Sequence, residues 1–117
     1  MRVLLIEDDA LVATSLLDFL SIEDFEVKVA ENIAAAESIL PSFSPDVVVS
    51  DCVYGAGEFV KNLKQAHPKL PVIIVSGDPY SAQDTVPDAD RVLNKGAGPG
   101  PLIATIREVA GGQYRSR

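Results

Sequence analysis

Polar residues that could do phosphoryl chemistry stand at the ends of short apolar segments of this chain. Glu7 and Asp8 directly follow one apolar segment, and Asp51 follows another. Ser76 and Lys95 stand at the ends of two later segments. A carboxylate can attack phosphorus and become an acyl phosphate, while a hydroxyl and a lysine can stabilise the phosphoryl oxygens. Together these residue types indicate phosphoryl transfer.

The acids among these residues need a positive partner, because like charges repel one another and desolvating them is costly. Mg²⁺ prefers oxygen ligands and usually keeps several waters, so one or two carboxylates, a backbone carbonyl and a substrate oxygen can complete its shell. The chain has one cysteine and one histidine, which is not a zinc-ligand set. It has no GxxxxGK loop for a nucleotide. The sequence therefore predicts a Mg²⁺ site, with Mn²⁺ as an alternative.

Five segments that could position these residues have the patterns of β-strands. The segments at 3–6, 46–50 and 70–77 each contain a continuous apolar run, which is typical of strands buried on both faces. The segment "FEVKVA" at 25–30 alternates between apolar and polar residues, which indicates a strand near a sheet edge. The short segment "RVLN" at 91–94 completes the set.

Helical patterns alternate with these strands. Helices are predicted at residues 10–21, 33–40, 58–66, about 80–86 and 102–110. Asp9 and Asn32 suit the N-cap positions of the first two helices. Pro41 is expected to end the second, while Pro101 suits the first turn of the last, which the glycine pair at 111–112 is expected to end.

The alternation of strand and helix, repeated five times, predicts the fold. It indicates an α/β protein with a parallel sheet and helices on both faces. Right-handed crossovers and five strands favour the doubly wound, flavodoxin-like order 2-1-3-4-5. The first and third strands are neighbours in that order, and ligands bind at their carboxyl ends. Glu7, Asp8 and Asp51 are therefore expected to converge, with Ser76 and Lys95 on the same edge.

Size and charge narrow the class of protein. The 117 residues, of which 47% are hydrophobic, suit one domain, expected at 1–112 with a frayed tail at 113–117. The net charge of -7 argues against direct binding to nucleic acid or to an anionic membrane. No apolar run approaches the ~20 residues that span a bilayer. Because the single cysteine, Cys52, also fits a reducing compartment, we expect a cytoplasmic protein.

Four motifs give the chain a family resemblance. The segments "LLIEDDA", "DVVVSD", "PVIIVSG" and "VLNK" resemble, in order, the motifs of response-regulator receiver domains of two-component signalling. The resemblance covers nearly the whole chain. It implies that Asp51 is the phospho-acceptor, Ser76 the switch hydroxyl and Lys95 the lysine of the phosphoryl site.

The resemblance also implies metal ligands and partners. Asp8 and Asp51 would bind the metal directly, together with the backbone carbonyl of Val53, and Glu7 would act through water. The phosphoryl donor would be a histidine kinase or a histidine phosphotransfer protein, and a downstream protein target is possible. We expect a stand-alone receiver, as a monomer or weak homodimer, or alternatively a piece of a longer protein.

Four features depart from the family pattern. Gly96 follows the lysine in place of the usual proline, and we expect a trans peptide bond there. The loop after the acceptor is short and contains Gly55 and Gly57. Val92 replaces the usual aromatic residue, and the fourth helix is short or disordered. The chemistry of the site therefore looks intact, whereas the usual readout of the signal looks altered.

Alternative interpretations remain open from sequence alone. The acids could be a solvated helix start and a strand-end cap, Ser76 a turn residue and Lys95 a surface lysine. A receiver-like interaction module that signals without phosphorylation is the main alternative function, and a Mg²⁺-dependent phosphatase ranks below it. Leu11 and Leu17 are either ordinary exposed residues or a docking patch for a kinase helix. Cys52 is expected to fill core space on the other side of its strand.

Overall fold

The computed structural model describes residues 1–51 and 54–115, the last five of these by backbone alone. The strands in the described residues are β1 Arg2–Ile6, β2 Glu26–Ala30, β3 Val47–Asp51, β4 Val72–Ser76 and β5 Arg91–Asn94. The α-helices that follow them are α1 Ala10–Ile22, α2 Ile33–Phe43, α3 Ala56–Ala66, α4 Pro79–Thr85 and α5 Pro99–Arg115. A single 3₁₀ turn, Lys95–Ala97, joins β5 to α5.

The strands form one parallel sheet in the order β2-β1-β3-β4-β5. Ile6 of β1 pairs with Ser50 of β3, which brings the residues after β1 beside the end of β3. Asp51 pairs with Val75 of β4, and Ser76 pairs with Asn94 of β5. The predicted fold class and strand order are confirmed, and the carboxyl ends of the four strands β1, β3, β4 and β5 share one edge.

The sheet is buried on both faces because its central strands are apolar throughout. Helices α2, α3 and α4 cover one face, and their contact residues include Phe43, Phe59 and Ala82. Helices α1 and α5 cover the other, through Leu20 and Ile106 among others. Burial of apolar surface on both sides, worth about 25 cal/mol per Å², holds the strand ends in place.

Several helix boundaries differ from the prediction. Helix α2 continues through Pro41, because the next turn buries Phe43 to 3% exposure, and it ends at Ser44 in the left-handed region with φ 49°. Helix α3 begins at Ala56, after Gly55 turns the chain with φ 84°. Helix α5 begins at Pro99 and continues through the glycine pair at 111–112, since glycine weakens a helix without forbidding it.

The start of α1 confirms one predicted cap. The Asp9 carboxylate accepts hydrogen bonds from the backbone N–H groups of Leu11 (3.0 Å) and Val12 (3.3 Å). Asn32 caps α2 in the same way, accepting from the N–H of Ala35 at 2.8 Å.

Within the described residues, no helix combines the length and hydropathy needed to cross a bilayer.

Candidate phosphoryl-transfer site

Three carboxylates meet where β1 and β3 end. Glu7 and Asp8 follow the last residue of β1, and Asp51 is the last residue of β3. One carboxylate oxygen from each lies within 4.8 Å of the others. Glu7 is 3% exposed, Asp51 is half-buried and Asp8 is exposed. The convergence expected from the strand order is therefore present.

The ammonium group of Lys95 bridges two of these carboxylates. Its Nζ lies 3.0 Å from Oδ2 of Asp51 and 3.1 Å from Oε1 of Glu7. Its backbone is held by Asn94, whose side chain accepts a hydrogen bond from the N–H of Gly96 at 2.9 Å. No peptide bond among residues 1–51 and 54–115 is cis, as expected for the bond before Gly96. A proline after the lysine is therefore not needed for it to reach the acids.

The pKa values of Glu7 and Lys95 are both raised, although burial acts on the two groups in opposite directions. Burial raises the pKa of Glu7, and the charge of Asp51 adds to this effect, while the Asp9 N–H and Lys95 act against it. Burial alone would lower the pKa of Lys95, but hydrogen bonds and charge attraction from Asp51 and Glu7 outweigh it and raise that pKa. Lys95 therefore stays protonated at neutral pH and holds the two acids together.

Ser76 is the last residue of β4 and is 7% exposed. Its hydroxyl donates a hydrogen bond to the backbone carbonyl of Asp78 (3.2 Å) and accepts one from the backbone N–H of the same residue (3.0 Å). The hydroxyl stands on the strand beside that of Asp51, one residue beyond the Asp51–Val75 pair. It is thus near the acids in the sheet, but is bonded to the chain that leads into α4.

The acids fit a hard divalent cation. Three oxygens from three carboxylates lie close enough together to face one ion. Both oxygens of Glu7 already have partners, since Oε1 contacts Lys95 and Oε2 accepts a hydrogen bond from the N–H of Asp9 at 3.1 Å. Asp51 is also engaged, since its Oδ2 pairs with Lys95. The backbone carbonyl of Val53, expected as a ligand, and Cys52, expected to fill core space, lie outside the described residues.

The chain that carries this site is similar to a known protein family. The family model described as the response regulator receiver domain matches residues 3–107. The chain belongs to this family. The resemblance seen in the sequence motifs is thereby confirmed.

Two curated proteins share sequence with this receiver domain. Regulatory protein VirG of Agrobacterium tumefaciens is 34% identical over 88 residues, which cover 73% of this chain and 33% of VirG. The DNA-binding transcriptional regulator NtrC of Rhizobium meliloti is 32% identical over 98 residues, which cover 81% of this chain and 19% of NtrC. The receiver domain thus spans a third or less of the length of these relatives.

Solved structures share the fold. A response regulator receiver domain protein from Clostridium thermocellum has a TM-score of 0.86 and 22% identity, with 99% of this chain and 98% of that chain covered. The response regulator TrrA of Thermotoga maritima, in complex with Mg²⁺-BeF, has a TM-score of 0.83 and 20% identity, with 92% and 97% covered. At this level of identity the likeness concerns the fold.

An apolar groove beside Lys95 was only partly foreseen from the sequence. It has a volume of about 370 Å³, and its walls come from α1, the ends of β4 and β5, the segment after β5 and the start of α5. Leu11, 81% exposed, and Phe19, 48% exposed, lie along its α1 side, and Pro99 and Leu102 lie opposite. We call this surface the α1–α5 groove. Leu17, which one of the two open interpretations placed in a docking patch with Leu11, lines a separate groove.

Phe19 has the helical spacing with Leu16 and Leu20 that is typical of a common buried face, but the structure exposes it. Leu20 is fully buried, but Phe19 stands at the edge of that face. The eight-residue spacing of Leu11 and Phe19 places both on one side of α1 and could have indicated the groove. Nothing in the sequence indicated that the Ser76 hydroxyl would bond to Asp78.

Proposed function

We propose that Asp51 accepts a phosphoryl group from a histidine kinase or a histidine phosphotransfer protein, with Mg²⁺ as cofactor. The domain would then pass the signal on by binding a partner or by onward transfer. The observation that carries the proposal is the pairing of the Lys95 ammonium with Asp51 and Glu7 at the edge where ligands of this fold bind. The family match over residues 3–107 supports it.

The proposed transfer is a nucleophilic displacement at phosphorus. An oxygen of the Asp51 carboxylate forms a bond to phosphorus as the phosphorus–nitrogen bond of the phosphohistidine breaks, and the imidazole keeps the bonding electron pair. Lys95, 3.0 Å from Oδ2 of Asp51, would stay paired with the phosphoryl oxygens as charge accumulates there. Hydrolysis of the acyl phosphate by water would return Asp51 to its carboxylate form.

We propose that Asp8, Asp51 and the backbone carbonyl of Val53 hold the Mg²⁺, and that Glu7 acts through water. A bound Mg²⁺ neutralises negative charge at the phosphoryl group. The two engaged oxygens of Glu7 support its indirect role. The complex of TrrA with Mg²⁺-BeF supports the choice of metal. Mn²⁺, which also prefers oxygen ligands, remains an alternative.

We propose that the phosphoryl donor docks an apolar helix in the α1–α5 groove. The groove is lined by Lys95 as well as by Leu11 and Phe19, so an occupant would lie next to the acceptor site. Exposed apolar residues at helical spacing suit the helix-in-groove mode of recognition. The net charge of -7 favours a protein partner over nucleic acid for this domain.

The test is the intact mass of the protein after incubation with acetyl phosphate. The incubation is run with Mg²⁺, with a chelator in place of Mg²⁺, and with the Asp51→Asn variant. We expect a gain of one phosphoryl group with Mg²⁺ and no gain in either of the other samples. If folded wild-type protein gains no phosphoryl group under any condition, the acceptor proposal is wrong and the module that signals without phosphorylation becomes the better explanation.

A further inference from the structure

A serine interrupts an otherwise apolar strand in the middle of the sheet. Ser50 is 0% exposed, and it follows three valines of β3 that are buried to the same degree. In the register of the sheet it lies between Ile6 of β1 and Ile74 of β4. Both isoleucines belong to the core under α2, α3 and α4. Because paired residues of a parallel sheet project to the same face, the Ser50 side chain is directed into this apolar core.

The buried hydroxyl is bonded to the residue proposed as acceptor. Its Oγ donates a hydrogen bond to the backbone carbonyl of Asp51 at 2.6 Å. Burying a hydroxyl in an apolar core costs free energy unless a hydrogen bond compensates for it, and a small apolar side chain would avoid that cost. The packing of the core therefore does not require a serine at this position, whereas the bond to Asp51 does require a hydroxyl.

The bond fixes the direction in which the chain leaves β3. A backbone carbonyl turns with the rotation about the bond to its own Cα, so holding the Asp51 carbonyl also limits the path of the residues that follow. The Asp51 carboxylate is held separately, by the Lys95 ammonium 3.0 Å away. Asp51 is thus fixed through its side chain by Lys95 and through its backbone by Ser50.

The loop after Asp51 is short and is fixed at its far end as well. It covers residues 52–55, since β3 ends at Asp51 and α3 begins at Ala56. Ala56 is 1% exposed, and a Cβ added at Gly57 would lie 2.4 Å from the backbone carbonyl oxygen of Thr85 in α4. The start of α3 therefore has little freedom to shift. A rotation of the Asp51 carbonyl would have to be absorbed within the loop itself.

We propose that Ser50 is a positioning residue for the Mg²⁺ site: its hydroxyl holds the Asp51 carbonyl in the orientation that lets the Asp51 carboxylate and the Val53 carbonyl face the same cation. This role rests on the proposed metal ligands and on the proposed function of Asp51. Ser50 itself contacts neither the cation nor the phosphoryl group. Its loss should weaken the binding of Mg²⁺ and leave the phosphoryl chemistry intact once the site is filled.

Four variants test the proposal. Ser50→Ala removes the hydroxyl, and Ser50→Cys has a similar volume but donates only weakly. Ser50→Thr keeps the hydroxyl and is the conservative variant. Ser38→Ala is the matched control, because it also removes a hydroxyl that donates to a backbone carbonyl, that of Ala34 at 3.2 Å within α2.

The first measurement is made on metal-free protein in the presence of a chelator. The ¹³C NMR signal of the Asp51 backbone carbonyl should move upfield in Ser50→Ala and Ser50→Cys, because a carbonyl carbon is deshielded when its oxygen accepts a hydrogen bond. The signal should stay near its wild-type position in Ser50→Thr and Ser38→Ala. An unchanged Asp51 signal in Ser50→Ala would show that the hydroxyl does not hold the carbonyl, which overturns the proposal.

The second measurement is the Kd of Mg²⁺, obtained by a titration that is followed by NMR. We expect the Kd to rise roughly three- to tenfold in Ser50→Ala and Ser50→Cys, as the loss of one hydrogen bond allows, and to stay within about twofold of wild type in Ser50→Thr and Ser38→Ala. An equally weakened Kd in folded Ser50→Thr would contradict the role of the hydroxyl.

Urea unfolding without Mg²⁺ distinguishes positioning from support of the fold. The unfolding midpoint of Ser50→Ala should stay near that of wild type, because the hydrogen bond and the buried hydroxyl are lost together. A lower midpoint combined with a wild-type Kd for Mg²⁺ would show that Ser50 supports the fold alone, and the proposal would be wrong.

Phosphorylation by acetyl phosphate, followed by intact mass, examines the chemical step. At saturating Mg²⁺ we expect Ser50→Ala to be modified at nearly the wild-type rate, and at lower Mg²⁺ its rate should fall in proportion to the occupancy of the site. A rate that stays reduced at saturating Mg²⁺ would place Ser50 in the chemistry and overturn the positioning role.

The same data separate this role from the function on which it rests. Modification of wild type, with equal Kd values in wild type and Ser50→Ala, would exclude the role of Ser50 alone. Binding of Mg²⁺ to wild type without any gain of mass would exclude the acceptor function alone. Folded wild type that neither binds Mg²⁺ nor gains mass would exclude both.

Discussion

At the scale of single residues, the charge of Lys95 offsets part of the cost of burying the Glu7 carboxylate. Glu7 is 3% exposed and stands beside Asp51, an arrangement in which two carboxylates repel one another. The ammonium group lies within 3.1 Å of both. Removing one partner of a buried ion pair costs more than the pair itself contributes, because the remaining charge has lost its counter-ion.

Replacement of Lys95 by methionine should therefore destabilise the protein in a pH-dependent way. We expect the free energy of unfolding to fall by about 1 to 3 kcal/mol at pH 8 and by less at pH 5. Without Lys95, burial and Asp51 raise the pKa of Glu7 further. The folded state then binds protons more tightly than the unfolded state, so stability falls as pH rises from the ordinary carboxyl pKa through the raised one.

The measurement is urea unfolding at both pH values with a chelator present. Lys61→Met, at an exposed position on α3, is the control and should show little change at either pH. The ammonium of wild-type Lys95 stays charged at both values, because its pKa is raised. An equal loss of stability at pH 5 and pH 8 would contradict the proposed role of Lys95 in balancing Glu7.

At the scale of secondary-structure elements, the end of α2 shows how local conformation and packing compete. Packing of Phe43 carries the helix past Pro41, and the chain then turns at Ser44 with φ 49°. The N–H of Ser44 donates to the carbonyl of Leu40 at 3.1 Å, which is the kind of bond that closes a left-handed helix end. Glycine adopts this conformation more readily than serine.

Ser44→Gly should accordingly stabilise the protein by about 0.5 to 1 kcal/mol. The same substitution two residues earlier, Ser42→Gly, falls inside α2 at an exposed position and should destabilise it by about 0.5 kcal/mol. Chemical unfolding of the two variants beside wild type gives both values. Changes of the same sign in the two variants would refute the assignment of Ser44 as the helix end.

The α1–α5 groove is the element-scale feature proposed to bind a protein phosphoryl donor. Its exposed residues Leu11 and Phe19 do not form part of the acid cluster. A small donor such as acetyl phosphate needs no docking surface, whereas a protein donor does. The groove should therefore affect transfer from proteins without affecting the chemistry.

Leu11→Glu and Phe19→Glu should slow phosphoryl transfer from a histidine kinase that modifies the wild type by roughly tenfold, since central apolar contacts are each worth more than about 1 kcal/mol. The rate with acetyl phosphate should not change. Ile22→Glu is the control, because Ile22 is 75% exposed on α1 but does not line the groove. An equal slowing with both donors would place these residues in the chemistry instead of the docking surface.

At the scale of the whole molecule, the site joins segments that are far apart in the sequence. The bond between Lys95 and Asp51 spans 44 residues, and the acids come from two strands that adjoin through the crossover of the sheet. The site therefore exists only in the folded state. A metal ion that binds the folded site stabilises the whole domain by mass action.

We expect Mg²⁺ at about 100 times its Kd to raise the free energy of unfolding by about 2.7 kcal/mol. Asp8→Asn should lose about half of this gain or more, with a Kd weakened by at least about tenfold. Asp9→Asn removes the same charge one residue later but keeps an N-cap, and should retain the gain. Unfolding with and without Mg²⁺ tests this, and an equal loss in both variants would show a general charge effect instead of a defined ligand.

The sequence by itself determined the class of fold, the strand order and the residues that meet at the site. These follow from local properties: continuous apolar runs specify buried strands, their alternation with helices specifies a parallel sheet, and the sheet brings its carboxyl ends together. The N-caps Asp9 and Asn32 could be predicted for the same reason, since a cap bonds to the backbone two or three residues away.

Only the tertiary structure decided how these residues are engaged. Lys95, which is followed by Gly96 in place of proline, could have faced solvent, and Ser76 could have faced Asp51 instead of bonding to Asp78. The separation of Leu11 from Leu17, the exposure of Phe19 and the approach of Gly57 to Thr85 likewise depend on how helices pack against one another. Such contacts join residues that are distant in sequence, so no local pattern of residue types could specify them.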